Sequence, residues 1–438
     1  MFKRGERLKK FRIPIIILCL CILLSGCSFR LASVEDLISP ISPSGENAEV
    51  LKAVDNYCRN GYSLKVPSSG KYTTSFIYYD LDGDKENEAI SFYEPSDKKG
   101  TVNMAVIEKS NDGWKVIENI EGDGSDIISI DFCDLNNDSK KDIIVCWSII
   151  SKSTNYGLRV YRQYQDDKGC HLKAMSSSII AGDFICADVN DDNFNELLVF
   201  RPGSSSYSAR AELYSFKKNS AILICETKLD SSIISFASLS VGKTDQGTSV
   251  FADALKSDGE SMVTELIYWS DYYDSIVSPF YDYDTGKTAD TARSNLIKSR
   301  DIDNDKEIEI PTSLKVKNLP DSLTAENWKS YKNTVLNHKC YSYSCKRDKY
   351  IIVIDDKVFS KLTVNYDEDN RELIAVNTKN KKECFRIKTV LSADFDSTLY
   401  PDYTRIFADS GLVYLASVNE KSGITVTIDK LKSMIKSY

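Results

Sequence analysis

Residues 80–88 read DLDGDKENE, five acidic side chains in nine residues, and the chain turns apolar directly afterwards. Like charges this close repel. A folded chain keeps such a stretch either where water screens it or where a cation sits among the carboxylates. The layout recurs: residues 134–145 read DLNNDSKKDIIV, 188–200 read DVNDDNFNELLVF and 301–311 read DIDNDKEIEIP. Each has Asp first, Asp or Asn third, Asp fifth and Asp or Glu ninth. The starts lie 54, 54 and 113 residues apart, so a degenerate copy is expected near residue 242, in the gap of double length. Residues 238–255 there read SLSVGKTDQGTSVFADAL. Setting Ser249 at the ninth position puts Val241, Lys243 and Asp245 at the first, third and fifth, with the Lys243 ammonium where a cation would sit and Asp245 beside it. A fixed period of this size marks a stacked or radial array of like units.

Around the loops the apolar pattern switches to strand periodicity. The first unit gives SFIYY before its acidic loop, EAISFYE after it, then VNMAVIEK and GWKVIENI across a turn at residues 110–113. Four strands per unit is the content of one propeller blade. Five units of about 55 residues fill 71–345, which predicts a mainly β fold, a five-bladed β-propeller; two more blades would need roughly 110 further strand-rich residues. Residues 346–438 alternate short strand runs with a final helical stretch, as a small α+β domain would. Residues 27–45 read as a flexible tether, and 46–70 as a short helical lead-in with an amphipathic helix around 48–59.

The first 26 residues read as a secretory signal: a basic start from Lys3 to Arg12, an apolar run from Ile13 to Leu24 that is short for a membrane span, then Ser25 and Gly26. Leu24-Ser25-Gly26-Cys27 resembles the lipobox of bacterial lipoproteins. That resemblance implies cleavage before Cys27 and lipid attachment to its sulfur, and so a membrane partner at the N-terminus; an uncleaved anchor helix is the alternative. Either places the remaining chain on the extracytoplasmic face. Loss of residues 1–26 removes six positive charges and one negative, taking the net charge from −8 to −13. Nucleic acid is therefore not an expected partner, since binding it needs a basic surface.

Within the loops, an all-oxygen donor set suits a hard cation that accepts six to eight oxygens at flexible geometry, namely Ca²⁺, at three to four sites. The expected ligands are Asp80, Asp82, Asp84, Glu86 and Glu88; Asp134, Asn136, Asp138, Lys140 and Asp142; Asp188, Asn190, Asp192, Phe194 and Glu196; and Asp301, Asp303, Asp305, Glu307 and Glu309. The seventh residue of each set, so variable in type, would act through its carbonyl. Position four is Gly83, Asn137, Asp191 or Asn304, all types that tolerate the left-handed conformation. That regularity has nothing to do with charge and argues for a fixed loop geometry. An EF-hand would need Gly at six, Glu at twelve and flanking helices, none of which is present.

These repeats resemble the VCBS and FG-GAP class of calcium-binding propeller repeats, seen in integrin alpha chains and many secreted bacterial proteins. Together with the lipobox and the C-terminal segment, the chain is similar to lipoproteins of Gram-positive bacteria. The Phe-Gly and Gly-Ala-Pro elements that name the FG-GAP class are absent, so integrin-type recognition is not implied.

No catalytic constellation stands out. Ser68-Ser69-Gly70-Lys71 fits S-x-x-K without its companion motifs, and GKT at 242–244 lacks the first glycine of a phosphate loop, so no nucleotide is expected. Two histidines are too few for a histidine metal centre, Cys340 and Cys345 are a disulfide candidate, and Cys133, Cys146, Cys186 and Cys225 read as core thiols. The most binding-like stretch is Tyr268 to Lys287, with Tyr272, Tyr273, Tyr281 and Tyr283 as candidate contacts, although strand aromatics also fill cores. The expected function is a binding or scaffold module for a protein or carbohydrate ligand. A surface hydrolase supported by the propeller is the alternative.

Overall fold

The computed structural model describes residues 44–149, 155–166, 169–204, 207–218 and 220–438; residues 1–26, expected to be a secretory signal, and the expected lipidation site Cys27 lie outside the described residues. A helix, Glu46–Tyr57, leads into a mainly β structure. Five antiparallel sheets of four or five strands then follow along the chain, with a two-stranded sheet of Tyr281–Asp282 and Lys287–Thr288 between the fourth and the fifth. The first contains Ile77–Tyr79, Glu88–Pro95, Asn103–Ser110 and Gly113–Glu121, with Tyr62–Lys65 beside the second of these. The second runs Asp126–Cys133, Asp142–Ser148, Tyr156–Asp166 and Gly169–Ala174, and Ile179–Ala181 shares an edge. The third is Asp183–Ala187, Glu196–Arg201, Arg210–Ser215 and Ile222–Lys228; the fourth is Ile233–Thr244, Gly247–Lys256, Met262–Ser270 and Ser275–Val277.

Both faces of these sheets are apolar, which is why their second strands read as near-continuous hydrophobic runs instead of alternating ones. Ile143, Val145 and Trp147 pack with Ile90, Phe92 and Val106 of the first sheet, while Ile144 and Cys146, on the opposite face, pack with Leu197 and Val199 of the third. Leu198 and Phe200 in turn face Val250, Ala252 and Ile267 of the fourth, whose Phe251 and Leu266 meet Ile310 and Tyr331 of the fifth. One-residue alternation along the strands thus binds the second, third and fourth sheets each to its predecessor and its successor.

The fifth sheet pairs Ile310–Ser313, Leu323–Lys332, Val335–Cys345 and Tyr350–Ile354, and it is extended by the C-terminal strand Ile435–Ser437. The expected boundary at 345/346 therefore falls inside a sheet: Tyr350–Ile354 pairs with Val335–Cys345. A separate sheet of Leu362–Asp367, Glu372–Asn377, Glu383–Leu391, Leu412–Val418 and Thr404–Asp409 packs on one face of the fifth, burying Tyr343, Tyr350 and Ile352 against Leu373, Phe385 and Tyr414. A short helix, Ile428–Met434, contributes Leu431 and Met434 to this core. On the first sheet, Tyr62 packs edge-on against Tyr93 at 5.7 Å. No helix among the described residues is long and apolar enough to cross a membrane.

Candidate metal centre

Each acidic stretch forms the connection between the first and second strands of its sheet, except that the fifth sheet enters through the single bridge Arg300–Glu309. Four features repeat in all four loops. The first-position carboxylate folds the chain around itself: Asp80 accepts the amides of Gly83 and Lys85, Asp134 those of Asp138 and Ser139, Asp188 those of Asp192 and Asn193, and Asp301 those of Asn304, Asp305 and Lys306. The fifth-position carboxylate accepts the amide of the seventh residue, at 2.7–3.0 Å. The ninth carboxylate accepts the amide of the second, from Leu81 to Glu88 at 2.8 Å through Ile302 to Glu309 at 3.1 Å. That second residue, Leu81, Leu135, Val189 or Ile302, is buried and pegs the loop to the core.

The backbone confirms left-handed conformation at position four and adds a second at position six: Lys85, Ser139, Asn193 and Lys306 have φ of 77°, 69°, 68° and 75°. Holding a non-glycine residue there costs on the order of 1 kcal/mol, so the geometry is imposed by the carboxylate bonds just described. The position-six signal was legible only as the absence of the EF-hand glycine.

The loops lie side by side. Lys141 donates its amide to the Leu81 carbonyl at 3.3 Å, Asn195 Nδ2 donates to the Asp134 carbonyl at 2.9 Å, and Thr248 Oγ1 donates to Asp191 at 3.2 Å. Each contact comes from the eighth position of one unit and reaches the preceding loop.

Two groups, Asp301, Asp303, Asp305 and Glu309 and, separately, Asp80, Asp82 and Glu88, converge closely enough to hold a metal ion. The ninth-position acids are buried, and this burial pushes the carboxyls of Glu88, Glu196 and Glu309 up to about 7 against the amide bonds that act downward. One oxygen each of Glu196 and Glu309, Oε1, is buried without a hydrogen-bond partner. Only the Glu309 oxygen lies within one of the two converging groups, where a bound cation would satisfy it; the acids around Glu196 do not converge as closely.

Basic side chains from outside the loops reach three of them. Arg162 is buried on the second sheet and holds both oxygens of Asp142, Nε to Oδ1 at 2.7 Å and Nη2 to Oδ2 at 2.8 Å; it also donates to the Phe216 and Lys218 carbonyls. Asp142 accordingly feels burial upward and Arg162 downward. Lys217 hydrogen-bonds to Asp192 and lies 4.7 Å over the Phe194 ring. Lys339, at a bulge in Val335–Cys345, hydrogen-bonds to Asp305 and stands 3.6 Å from Asp303, 3.7 Å from Glu307 and 3.9 Å from Glu309. Its bond holds Asp305 below the usual carboxylate range. Among the described residues no ion pair involves the acids of the first loop.

The degenerate unit differs from the gapless alignment. Gly242 pairs with Ser249, two residues closer in sequence than the partners of Glu88, Asp142 and Glu196, and the strands run on to meet in a tight turn at 244–247. Val241 and Lys243 are strand residues rather than loop positions. Asp245 accepts the Asn333 amide at 2.6 Å and forms no ion pair with Lys243 among the described residues. Buried Ser249 stands in place of the acid, its hydroxyl paired with that of Thr244 at 2.9 Å.

Elsewhere, Tyr272, Tyr273 and Tyr283 are strongly exposed, at 87%, 69% and 74%, whereas Tyr281 is half-buried and packs edge-on against Tyr283 at 5.0 Å. Tyr283 borders a cavity of about 360 Å³ lined by Arg210, Glu226, Thr227 and Lys228. Cys340 and Cys345 are free thiols on one extended strand; five residues apart there means roughly 16 Å, beyond disulfide reach. Ser68 and Ser69 bond to the Ile128 carbonyl, a structural role for the S-x-x-K match.

No family model matches the chain, and no curated protein does. Among solved structures, it is similar to a hypothetical selenium-binding protein from Sulfolobus tokodaii at 10% identity and TM-score 0.30, covering 48% of this chain and only 54% of that protein. It is also similar to Sqt1 from Chaetomium thermophilum, at 9% identity and TM-score 0.33 over 79% of this chain and 98% of that one. An exotype rhamnogalacturonan lyase matches at 13% identity and TM-score 0.25 over 74% of each. Likenesses at these scores carry no argument about function.

Proposed function

We propose that this chain is a lipid-anchored extracytoplasmic protein whose five sheets are the blades of a calcium-stabilised propeller, and that it serves as a binding or scaffold module for a protein or carbohydrate ligand. The orphaned, buried Oε1 atoms of Glu196 and Glu309 carry the ion assignment. Each sits in an all-oxygen set without cysteine or histidine, the chemistry of a hard cation. The residues that would hold it are those at positions one, three, five and nine, with the carbonyl at seven; when bound, the ion offsets carboxylate repulsion and fixes adjoining loops, a structural contribution.

The ligand side of the proposal is supported by the exposed tyrosines and by the Tyr283 cavity, where aromatic faces lie next to Arg210, Glu226 and Lys228. Ring faces beside charged hydrogen-bonding groups suit sugars and peptide segments alike.

The test is thermal melting of the full chain after chelation, with calcium chloride added back. Ion binding to the folded state alone raises stability by about 2.7 kcal/mol per site at a hundredfold excess over Kd, so a clear rise in Tm is expected. An unchanged Tm with no calorimetric heat would remove calcium from the reading and leave the loops as solvated turns. A glycan array and a Tyr272→Ala/Tyr273→Ala/Tyr283→Ala variant then examine the ligand surface.

A further inference from the structure

The four acidic loops share one backbone but not one electrostatic environment. The difference lies in side chains that come from other strands. We propose that these outside side chains grade the loops: the Asp80 loop takes a divalent cation without competition, the Asp188 and Asp301 loops do so only after a lysine ammonium leaves, and Arg162 closes the Asp134 loop. This rests on the divalent-cation reading of the loops given above.

The ninth-position carboxylate decides the matter. In the Asp134 loop both oxygens of Asp142 are taken by one guanidinium, at 2.7 and 2.8 Å, and Oδ2 also accepts the Leu135 amide. Arg162 is itself anchored by the carbonyls of Phe216 and Lys218, so it cannot swing away without giving up bonds to the third sheet. A bidentate arginine is always charged and geometrically matched to a carboxylate, which makes it a poor leaving group.

Lysine is different. Lys339 meets four acids of its loop within 3.9 Å, yet Glu309 Oε1 still has no hydrogen bond, so the ammonium satisfies the charge without filling the coordination. Lys217 touches Asp192 and leaves Glu196 Oε1 unpartnered in the same way. Both are flexible four-carbon chains that can reach water. At the first loop, among the described residues, no side chain from outside the loop forms an ion pair with Asp80, Asp82, Asp84, Glu86 or Glu88.

The deciding experiment titrates calcium chloride calorimetrically into the chelator-treated full-length chain and into Lys339→Met and Lys217→Met variants, with Tm read in parallel. One tight site and two weaker ones are expected. Each lysine variant should tighten one weak site at least about tenfold, since a positive charge about 4 Å from the ion is removed. It should also lower Tm in the absence of calcium. Four sites of equal affinity, or lysine variants that bind as the parent does, would overturn the grading while leaving calcium in place. Absence of any binding would overturn the grading together with the reading beneath it. An Arg162→Met variant that binds one additional calcium supports the closure of the Asp134 loop; one that folds and binds none in addition refutes it.

Discussion

Replacing Arg162 by methionine isolates the electrostatic component of the second loop. The side chain is nearly fully buried, at 8% exposure against 3% for Asp142, and the two are joined by two charged hydrogen bonds. Methionine keeps most of the apolar stem and removes the guanidinium. Asp142 is then left in the core with the Leu135 amide at 3.2 Å as its remaining donor. Breaking a buried pair from one side costs about 3–5 kcal/mol, because the surviving charge stays desolvated. The Phe216 and Lys218 carbonyls each lose a donor as well, at about 1 kcal/mol apiece for a modest hydrogen bond. The total is about 5–7 kcal/mol, a large share of an ordinary stability of about 5–15 kcal/mol. Urea unfolding in the presence of chelator measures it. Adding Asp142→Asn to Arg162→Met should recover roughly half, since the amide carries no charge to strand. A single-variant loss below about 1 kcal/mol, or a double variant weaker than Arg162→Met alone, would refute the account.

Other expectations follow from single sites. Asp183 opens the third sheet, and burial pushes its carboxyl up to about 6, opposed by the Phe184 amide. A raised carboxyl favours the fold below its unfolded value near 4 and loses that contribution as pH climbs through 6, so Asp183→Asn should stabilise at pH 7.5 by about 1–2 kcal/mol, discounted for partial exposure, and change little at pH 4. Paired urea curves at the two pH values read this directly, and an equal effect at both would be the wrong result. Ser249→Glu should destabilise by more than about 2 kcal/mol even in millimolar calcium, because the shortened turn offers no partner acids and the new charge would be buried; calcium rescue would argue against the shortened register. At Gly122 an added Cβ would come within 2.3 Å of the buried Trp147 ring, so Gly122→Ala should cost about 1–3 kcal/mol by thermal melting, visible also as altered tryptophan fluorescence.

What was legible in the sequence was whatever is local. The acid spacing, the left-handed fourth position and the strand runs all lie within a dozen residues, and the structure has them. The buried second position, Leu81 through Ile302, was equally plain in the pattern, D-apolar-D or D-apolar-N, though its role as a peg needs the fold to be seen. The counter-ions were not legible, because Arg162, Lys217 and Lys339 stand 20, 25 and 34 residues from the acids they meet. The register of the fourth unit failed for another reason: sliding one copy against another preserves apolar shoulders whether or not two residues have been lost between them. The boundary at 345/346 failed because alternation in Tyr350–Ile354 shows that a strand has two buried faces, not which sheet it joins.

The charges of the repeats show a common economy. In the second unit Asp142 has Arg162, in the third Asp192 has Lys217, and in the fifth Asp305 has Lys339. The fourth unit lost the loop acids, yet further along the same strand Asp253 is buried against Arg293, 2.7 Å away, whose guanidinium also reaches Thr264 Oγ1 and the carbonyls of Thr291 and Ile297. A tethered cation acts at a fixed effective concentration, whereas a dissolved ion stabilises only as RT ln(1 + [L]/Kd). Four units have thus taken a cation into the chain, by a buried arginine where the pair is buried and by lysine where it meets water. The first has an ion pair, Lys65 with Glu94 at 3.3 Å, away from its loop, but among the described residues none at the loop itself, where Glu88 is buried with Asp80 and Asp82 around it. On the proposed reading, the first sheet is where stability depends most on external calcium. As the ion is withdrawn, opening should begin between residues 77 and 121 and leave the Arg162 and Arg293 clusters folded, an order that amide exchange resolves sheet by sheet.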